Sequence, residues 1–138
     1  PDVRMSLDRL ADLLCSQGKY NKAKPLYERG IAICEKALGP EHPNVGNWLH
    51  KLASMLQHQG KYDEAKPLYE RGIAICEKAL GPEHPDVGNA LHNLATVLQH
   101  QGKYDEAKPL YERGIAICEK ALGPEHPNVV NGLGNLAG

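Results

Sequence analysis

The chain has 138 residues, with 16 basic and 17 acidic side chains, no Phe and a single Trp. A net charge of −1 argues against a nucleic-acid-binding protein, because neutralising phosphates requires an excess of Lys and Arg. No apolar run approaches the ~18 residues that span a membrane, and no signal peptide is found at the start of the sequence. Because no Met precedes Pro1, we expect an excised or processed fragment.

Four cysteines are present, Cys15, Cys34, Cys76 and Cys118, and no two of them form a CxxC motif. Three of them recur at a constant spacing inside apolar stretches, which is typical of buried, reduced thiols rather than of a zinc site or a disulfide framework. We therefore expect no metal and a cytoplasmic location.

The same residues return every 42 positions. Residues 57–85 reappear unchanged as residues 99–127, and residues 23–43 match residues 65–85. Self-similarity at a fixed period is typical of repeat architectures. We predict one repeat domain over residues 1–138, divided into repeats at 1–42, 43–84 and 85–126 and a partial fourth at 127–138.

Each repeat predicts two helices, A and B, and the third copy shows helix A well. Asp86 is expected to cap it, because a carboxylate at this position can accept from the N–H groups of the first turn. Gly102 is expected to end it, since glycine takes the left-handed backbone conformation without a steric clash. Apolar residues at helical spacing form one stripe: Val87, Leu91, Leu94, Ala95 and Leu98.

Helix B follows at once. Asp105 is expected to cap it, and Pro109 then falls within the first turn, where a missing N–H costs little. Its apolar face is wide: Ala107, Leu110, Tyr111, Gly114, Ile115, Ile117, Cys118, Ala121 and Leu122. The short gap between A and B forces an antiparallel hairpin, and stacked hairpins bury the stripes that one hairpin leaves exposed. The predicted fold is all-α, a solenoid of stacked hairpins with about seven helices.

The run from Leu91 to Gly114 resembles the tetratricopeptide repeat, with Gly102, Ala107 and Tyr111 at its small and aromatic packing positions. The usual repeat is about eight residues shorter, whereas this helix B runs on to Leu122 and a Gly-Pro-Glu-His-Pro loop. That long form looks like the repeats of kinesin light chains and nephrocystin-like proteins. The resemblance implies a right-handed α-solenoid that acts as a protein–protein interaction scaffold and binds a peptide in the concave groove of its A helices, without a cofactor.

By the same resemblance, the polar side of helix A lines the groove. The candidate peptide-binding residues are Asn47, His50, Lys51, Ser54, Gln57 and His58 in the second repeat, Asn89, His92, Asn93, Thr96, Gln99 and His100 in the third, and Asn131 and Asn135 in the fourth. Side-chain amides both donate and accept, so this row suits a peptide backbone. The alternative is a solvated helix face that was copied with the rest of the repeat. Only Lys51 offers the fixed charge that a clamp for a terminal carboxylate requires, so we expect no such clamp.

The first repeat differs, with Met5, Asp8, Arg9, Asp12, Cys15 and Ser16 on this side, and its added charges suggest a cap. The histidines of the row predict an anion site that strengthens as pH falls through the usual imidazole pKa of ~6.5. Those of the loops, His42, His84 and His126, are expected to brace the turns.

Trp48 has no aromatic counterpart in the other repeats. We favour a packing role against Pro43 over an aromatic anchor for a partner.

An enzyme is not expected, because no Gly-rich phosphate loop or strand is present, and Glu70 and Glu77 lie beside Arg71 and Lys78 as on a solvated face. Two alternatives to a peptide-binding scaffold stay open. One is a homo-oligomer formed through the exposed terminal repeat, since the truncated fourth repeat leaves the third helix B partly covered. The other is a duplicated or designed array with no selected ligand.

Overall fold

The fold is taken from a computed structural model that describes residues 2–122. The helices are α1 Asp2–Ser16, α2 Tyr20–Leu38, α3 Pro43–His58, α4 Tyr62–Leu80, α5 Pro85–His100 and α6 Tyr104–Leu122. They are the predicted A and B helices of three repeats, and with no strand in this range the all-α prediction is confirmed. The predicted seventh helix, the brace at His126 and the site residues Asn131 and Asn135 lie outside the described residues.

The helices form two compact units that divide within α4, after Ile75. In the first unit α2 packs against both α1 and α3, and in the second α5 packs against α6. The repeat boundaries themselves stay a prediction. Within residues 2–122 no helix is both long and apolar enough to cross a membrane.

The apolar stripe predicted for helix A forms the core of α5, where each of its five members is at most 6% exposed. Gly114 allows α6 to lie close to α5, because a Cβ at this position would come within 3.1 Å of the Gly88 carbonyl oxygen. Small residues at the crossing therefore let the two helices approach closely, and buried Tyr111 and Ile117 fill the space beside it.

The A helices begin differently from the prediction. Asp86 is not the cap but lies in the first turn of α5, after Pro85 at the first helical position. The cap is His84, whose ring Nδ1 accepts a hydrogen bond from the Asp86 backbone N–H at 3.1 Å. His42 caps α3 in the same way, through the N–H of Asn44. The prediction that these two histidines brace their turns is confirmed, and capping is the physical means.

The end of helix A is as predicted. Gly102 has φ +78°, and its N–H donates to the Gln99 carbonyl at 3.0 Å. The N–H of Lys103 donates to the Leu98 carbonyl at 2.8 Å. These two bonds make a Schellman motif, which satisfies carbonyls that the helix leaves without donors.

The B helices begin two residues earlier than predicted. α6 starts at Tyr104, so Asp105 lies inside its first turn and is not the cap. Pro109 consequently lies inside the helix and beyond the first turn, so the helix lacks the bond that an N–H at 109 would donate to the carbonyl of residue 105. The charge of Asp105 still favours this end, because the helix dipole is positive there.

Candidate functional site

The predicted site residues lie on one side of α3 and α5, and all twelve of those described are partly or fully exposed. They divide into two kinds. Some hold the repeat together through contacts with a B helix or a neighbouring A helix, and others remain available to a ligand. The difference was not readable from the sequence, because both kinds are polar and repeat with the same period.

Two cavities lie on this side of the first unit. One, of about 500 Å³, is lined from α1 by Arg4, Met5 and Asp8, from α2 by Cys34, and from α3 by Asn44, Asn47, Trp48, His50 and Lys51. The second, of about 450 Å³, is lined by residues that include Asp12, Tyr27, Ser54 and His58. His50 and Lys51 line both, so the two cavities lie next to each other between α1 and α3, and we call them together the α1–α3 cleft.

Lys51 is not an isolated charge in this cleft. Its Nζ pairs with Asp8 and lies 3.4 Å from Oδ2 of Asp12, so the two carboxylates of α1 hold it. Partial burial disfavours the ammonium, but the hydrogen bond to Asp8 and the charge of Asp12 outweigh it and raise the pKa of Lys51. Lys51 therefore joins α3 to α1. It is the only lysine of the predicted polar row, and the carboxylates of Asp8 and Asp12 compensate its charge.

Tyrosines of the B helices bind part of the polar row. The Tyr69 hydroxyl donates to Oε1 of Gln57 at 2.8 Å, and the Tyr111 hydroxyl donates to Oε1 of Gln99 at 2.7 Å. Burial raises the pKa of Tyr69 to about 12. Since these bonds hold each A helix to its own B helix, Gln57 and Gln99 have a structural role.

In the first repeat Asp12 replaces the glutamine as acceptor, at 2.9 Å from the Tyr27 hydroxyl. Burial and the bonds to Cys15 and Asp12 raise the pKa of Tyr27. The hydrogen bond from the tyrosine of helix B to helix A is therefore present in all three described repeats, although its acceptor in the first repeat is an aspartate and not a glutamine.

The four histidines of the row do not behave alike. The rings of His50 and His92 lie edge-on to Tyr69 and Tyr111, with centroids 5.7 Å and 5.4 Å apart. Burial lowers the pKa of both imidazoles, and the charge of Lys51 adds to the effect at His50. Because neutral rings attract no anion, these two histidines do not support the predicted anion site.

His58 and His100 are held differently. Nδ1 of His58 lies 2.8 Å from the Ser54 carbonyl oxygen, and Nδ1 of His100 lies 2.8 Å from that of Thr96. A carbonyl can only accept, so Nδ1 carries the hydrogen and Nε2 is the remaining acceptor of the neutral ring. Both rings stand at the exposed end of their helix.

Trp48 is a packing residue, as we favoured, but the neighbours that the structure shows are on α2, and the predicted contact with Pro43 stays a prediction. It is 8% exposed, and its ring stands edge-on to Tyr27 with centroids 6.1 Å apart. Three of its ring atoms lie within 2.7 Å of where a Cβ on Gly30 would be. Trp48 is also among the residues that line the α1–α3 cleft.

Arg4 is a cleft residue that the sequence reasoning did not include in the site. Its Nη1 lies 3.9 Å from the Cys34 sulfur, and no carboxylate in the described part of the chain pairs with it. A comparison of the copies could have identified it, because Gly46 and Gly88 occupy the same place in the other repeats.

The charged side of the B helices is not simply a solvated face. Nη2 of Arg71 lies 2.7 Å from Oε2 of Glu35, and Nη2 of Arg113 lies 3.1 Å from Oε2 of Glu77. These pairs join successive B helices, from α2 to α4 and from α4 to α6. Their constant separation of 36 positions is a signal that the sequence contained.

Cys76 and Cys118 show no sign of activation. Burial raises the pKa of Cys118, and burial with the charge of Asp86 raises that of Cys76, whereas a nucleophilic thiol requires a lowered pKa. Among residues 2–122, no group of three His, Cys, Asp or Glu side chains could hold a metal ion.

A family model described as tetratricopeptide repeat matches the chain three times, over residues 2–78, 45–120 and 86–138. Its similarity to solved structures extends over nearly the whole length. The nearly identical TPR-like repeats of a Podosopora anserina protein assigned as a kinesin light chain share 36% identity at a TM-score of 0.84, over 96% of this chain and 63% of that one. The chain matches no curated protein.

Two more distant structures show the same fold. BtubC (BKLC) from P. vanneervenii is 24% identical at a TM-score of 0.83, over 94% of this chain and 51% of that one. The type III secretion translocator chaperone SycD of Yersinia enterocolitica is 19% identical at a TM-score of 0.73, over 99% of this chain and 89% of that one. This chain thus spans less than two thirds of the Podosopora anserina protein, at 63%, and about half of BtubC, at 51%.

Proposed function

This chain belongs to the tetratricopeptide repeat family, and from that premise we propose that it is a protein-interaction scaffold that binds a peptide segment along the exposed side of its A helices. In the first unit the proposed site is the α1–α3 cleft. In the second unit it is the corresponding side of α5. The observation that carries the proposal is the first cavity of this cleft, which is open, has a volume of about 500 Å³ and includes Asn44, Asn47 and Arg4 in its lining.

The ligand-facing residues are fewer than the full polar row. Asn47 is exposed and makes no hydrogen bond with the described residues, and Asn93 is half-exposed with none. Each amide can donate to a peptide carbonyl and accept from a peptide N–H, so each can hold an extended backbone. Gln57, Gln99 and Lys51 contribute to the site by fixing the helices that carry these amides.

The shape of the cleft also favours a peptide over a small molecule. The cleft is open along α1 and α3, and polar groups are spread along its length instead of converging on one point. Binding sites for small molecules are concave and mostly apolar, with a few convergent polar groups. The contrast lies in the placement of the polar groups: an extended segment can exchange backbone hydrogen bonds with side-chain amides spread along the cleft and lay apolar side chains on its apolar wall.

The proposal is tested by selecting peptides from a random phage-displayed library against the immobilised chain and measuring their affinity for variants. We expect Asn47→Ala to weaken binding of a selected peptide by roughly fivefold to tenfold, since a lost hydrogen bond to a buried backbone group costs ~1 kcal/mol or more. Glu112→Ala is the matched control, because Glu112 is exposed on the outer side of α6. The proposal is wrong if selected peptides bind Asn47→Ala unchanged while Glu112→Ala loses them. Failure to select any peptide would favour an array with no ligand.

A further inference from the structure

The first cavity of the α1–α3 cleft is lined mainly by residues that differ from their copies in the third repeat. Arg4 occupies the position of Gly88, and Trp48 occupies that of Ala90. Four more lining residues differ in the same way, namely Met5, Asp8, Asn44 and Lys51, which correspond to Asn89, His92, Asp86 and Asn93. The cavity therefore has a set of side chains that the copied sequence does not provide elsewhere.

Arg4 directs its charge toward the cleft and α2. Its Nη1 lies 3.9 Å from the sulfur of Cys34, and both residues line the first cavity. Its copy Gly88 faces the B helix of its own repeat in the same way, since a Cβ at this position would lie 3.2 Å from the sulfur of Cys118. Position 4 thus faces the helix that follows α1 in the chain and not the residues that precede α1, so the guanidinium is a cation of the cleft.

The two A helices of the cleft run in the same direction. Residues from the first half of each, among them Arg4 and Asn47, line the first cavity, and residues from the second half, among them Cys15 and His58, line the second. The positive ends of both helix dipoles therefore lie at the first cavity and the negative ends at the second. α3 has no acidic residue in its first turn and α1 no basic residue in its last turn, so these two ends are not compensated within the helix.

The charged side chains have the same polarity as the dipoles. Arg4 is the cation of the first cavity that no described carboxylate holds. Lys51, which lines both cavities, is shared by Asp8 and Asp12, so one ammonium faces two carboxylates. The side chain of Asp12 is 55% exposed and lines the second cavity. The cleft is therefore positive at Arg4 and negative at Asp12.

The separation of these two charges determines which ligand can reach both. Arg4 and Asp12 are eight positions apart on one helix (from 4 to 12), which corresponds to ~12 Å along its axis. An extended peptide advances ~3.3 Å per residue and places alternate side chains on the same side. Two side chains four positions apart therefore lie on one side and ~13 Å apart, which matches the cleft.

We propose that the α1–α3 cleft selects a peptide segment with an acidic and a basic side chain four positions apart, the acidic one at Arg4 and the basic one at Asp12. This inference rests on the proposed peptide-binding function and adds the chemical class of the ligand. Side-chain amides such as Asn47 hold a backbone in either direction, so the acidic residue can precede or follow the basic one in the segment.

Parallel selection from a random phage-displayed peptide library tests this pairing. The immobilised targets are the wild-type chain, Arg4→Glu, Asp12→Asn and Arg9→Glu. Arg9→Glu is the matched control, because Arg9 is an exposed cation on the same helix and lines neither cavity. We expect the wild-type chain and Arg9→Glu to enrich segments with the charge pair at this spacing. Arg4→Glu should enrich segments that lack the acidic residue, and Asp12→Asn, which keeps an acceptor for Tyr27, should lose the preference for the basic one.

A charge exchange on one selected peptide identifies the partner of its acidic residue. Replacing that residue by Lys should weaken binding to the wild-type chain by roughly tenfold and should restore binding to Arg4→Glu, because opposite charges then face each other again. Arg4→Gln removes the charge without reversing it and should weaken the parent peptide by about threefold to fivefold. Circular dichroism of each variant establishes that it is folded.

The outcomes separate this inference from the function on which it rests. Peptides that bind the wild-type chain without the charge pair, or with the pair at another spacing, overturn the inference and leave the peptide-binding function in place. The same holds if the parent peptide binds Arg4→Glu as tightly as the wild-type chain. Failure to select any peptide on any of the four targets overturns the peptide-binding function and the inference together.

Discussion

Gly30 offers a direct test of the packing described above, because the same repeat position should respond oppositely in different copies. Gly30, Gly72 and Gly114 are equivalent residues in α2, α4 and α6. Replacing a mid-helix glycine by alanine normally stabilises a helix by ~0.5–1 kcal/mol, since glycine loses more backbone freedom on folding. A consensus argument would predict this gain at all three positions.

The structure predicts a loss at Gly30. An added Cβ would lie 2.6 Å from two ring atoms of Trp48 and 2.7 Å from a third. The ring is buried and packed edge-on against Tyr27, so it cannot rotate away without disturbing a second contact. Overpacking of this kind costs ~1–3 kcal/mol. After subtraction of the helix-propensity gain, we expect Gly30→Ala to lower the free energy of unfolding by roughly 1 kcal/mol and by at most ~2.5 kcal/mol.

Gly72→Ala is the matched control. Its added Cβ would meet only the Gly46 carbonyl oxygen, at 3.8 Å, which is an ordinary contact. We therefore expect it to be neutral or to stabilise by up to ~1 kcal/mol. Gly114→Ala should fall between the two, because the Gly88 carbonyl lies 3.1 Å from its Cβ position and α5 must shift slightly.

Urea unfolding followed by circular dichroism measures these differences, and Trp48 fluorescence reports on the first unit separately. The cause is isolated by repeating Gly30→Ala in a Trp48→Ala background, where the clash is absent and the substitution should become neutral or stabilising. If Gly30→Ala stabilises the wild-type chain as much as Gly72→Ala does, the ring does not lie on Gly30 and the assigned packing of α3 on α2 is refuted.

Three further predictions concern single side chains. His42→Ala should lower the free energy of unfolding by ~1 kcal/mol, because it removes the cap of α3. His42→Asn should keep most of that stability, since asparagine can also cap a helix. If urea unfolding shows equal losses for the two variants, His42 does not act as a cap. The folded-state pKa values of His50 and His92 lie below the unfolded value of 6.5, so the unfolded chain binds more protons and stability should fall as pH falls through 6.5. The variant His50→Gln/His92→Gln should flatten this slope between about pH 7.5 and about pH 5.5, and an unchanged slope would contradict the assignment. Cys76 and Cys118 have raised pKa values, so both thiols should react with iodoacetamide more slowly in the folded chain than in urea. The difference should be about tenfold for Cys118. Mass spectrometry measures the rates, and equal rates would show that the thiols are accessible.

The helices could be predicted from the sequence because their determinants are local. The stripe that begins at Val87 and the stop at Gly102 depend on residues three to five positions apart, and the structure confirms both. The caps were predicted less well. Asp86 has the usual chemistry of a cap, but His84 precedes the proline and is the residue whose side chain reaches the first free N–H.

The candidate site could be predicted only in outline. The polar side of the A helices is exposed, as periodicity indicated. Periodicity could not separate Gln57, which Tyr69 binds, from Asn47, which faces the cleft, because both are amides on the same side of one helix. Arg4 was overlooked because it lies on the glycine position of the repeat and not in the polar row.

The sequence by itself determined the repeat, the helices and the apolar stripes, because these depend on neighbours along the chain that are the same in every copy. Only the tertiary structure decided what each copied residue does, because identical residues meet different partners across the helix interfaces. Gly30 faces Trp48 while Gly72 faces Gly46.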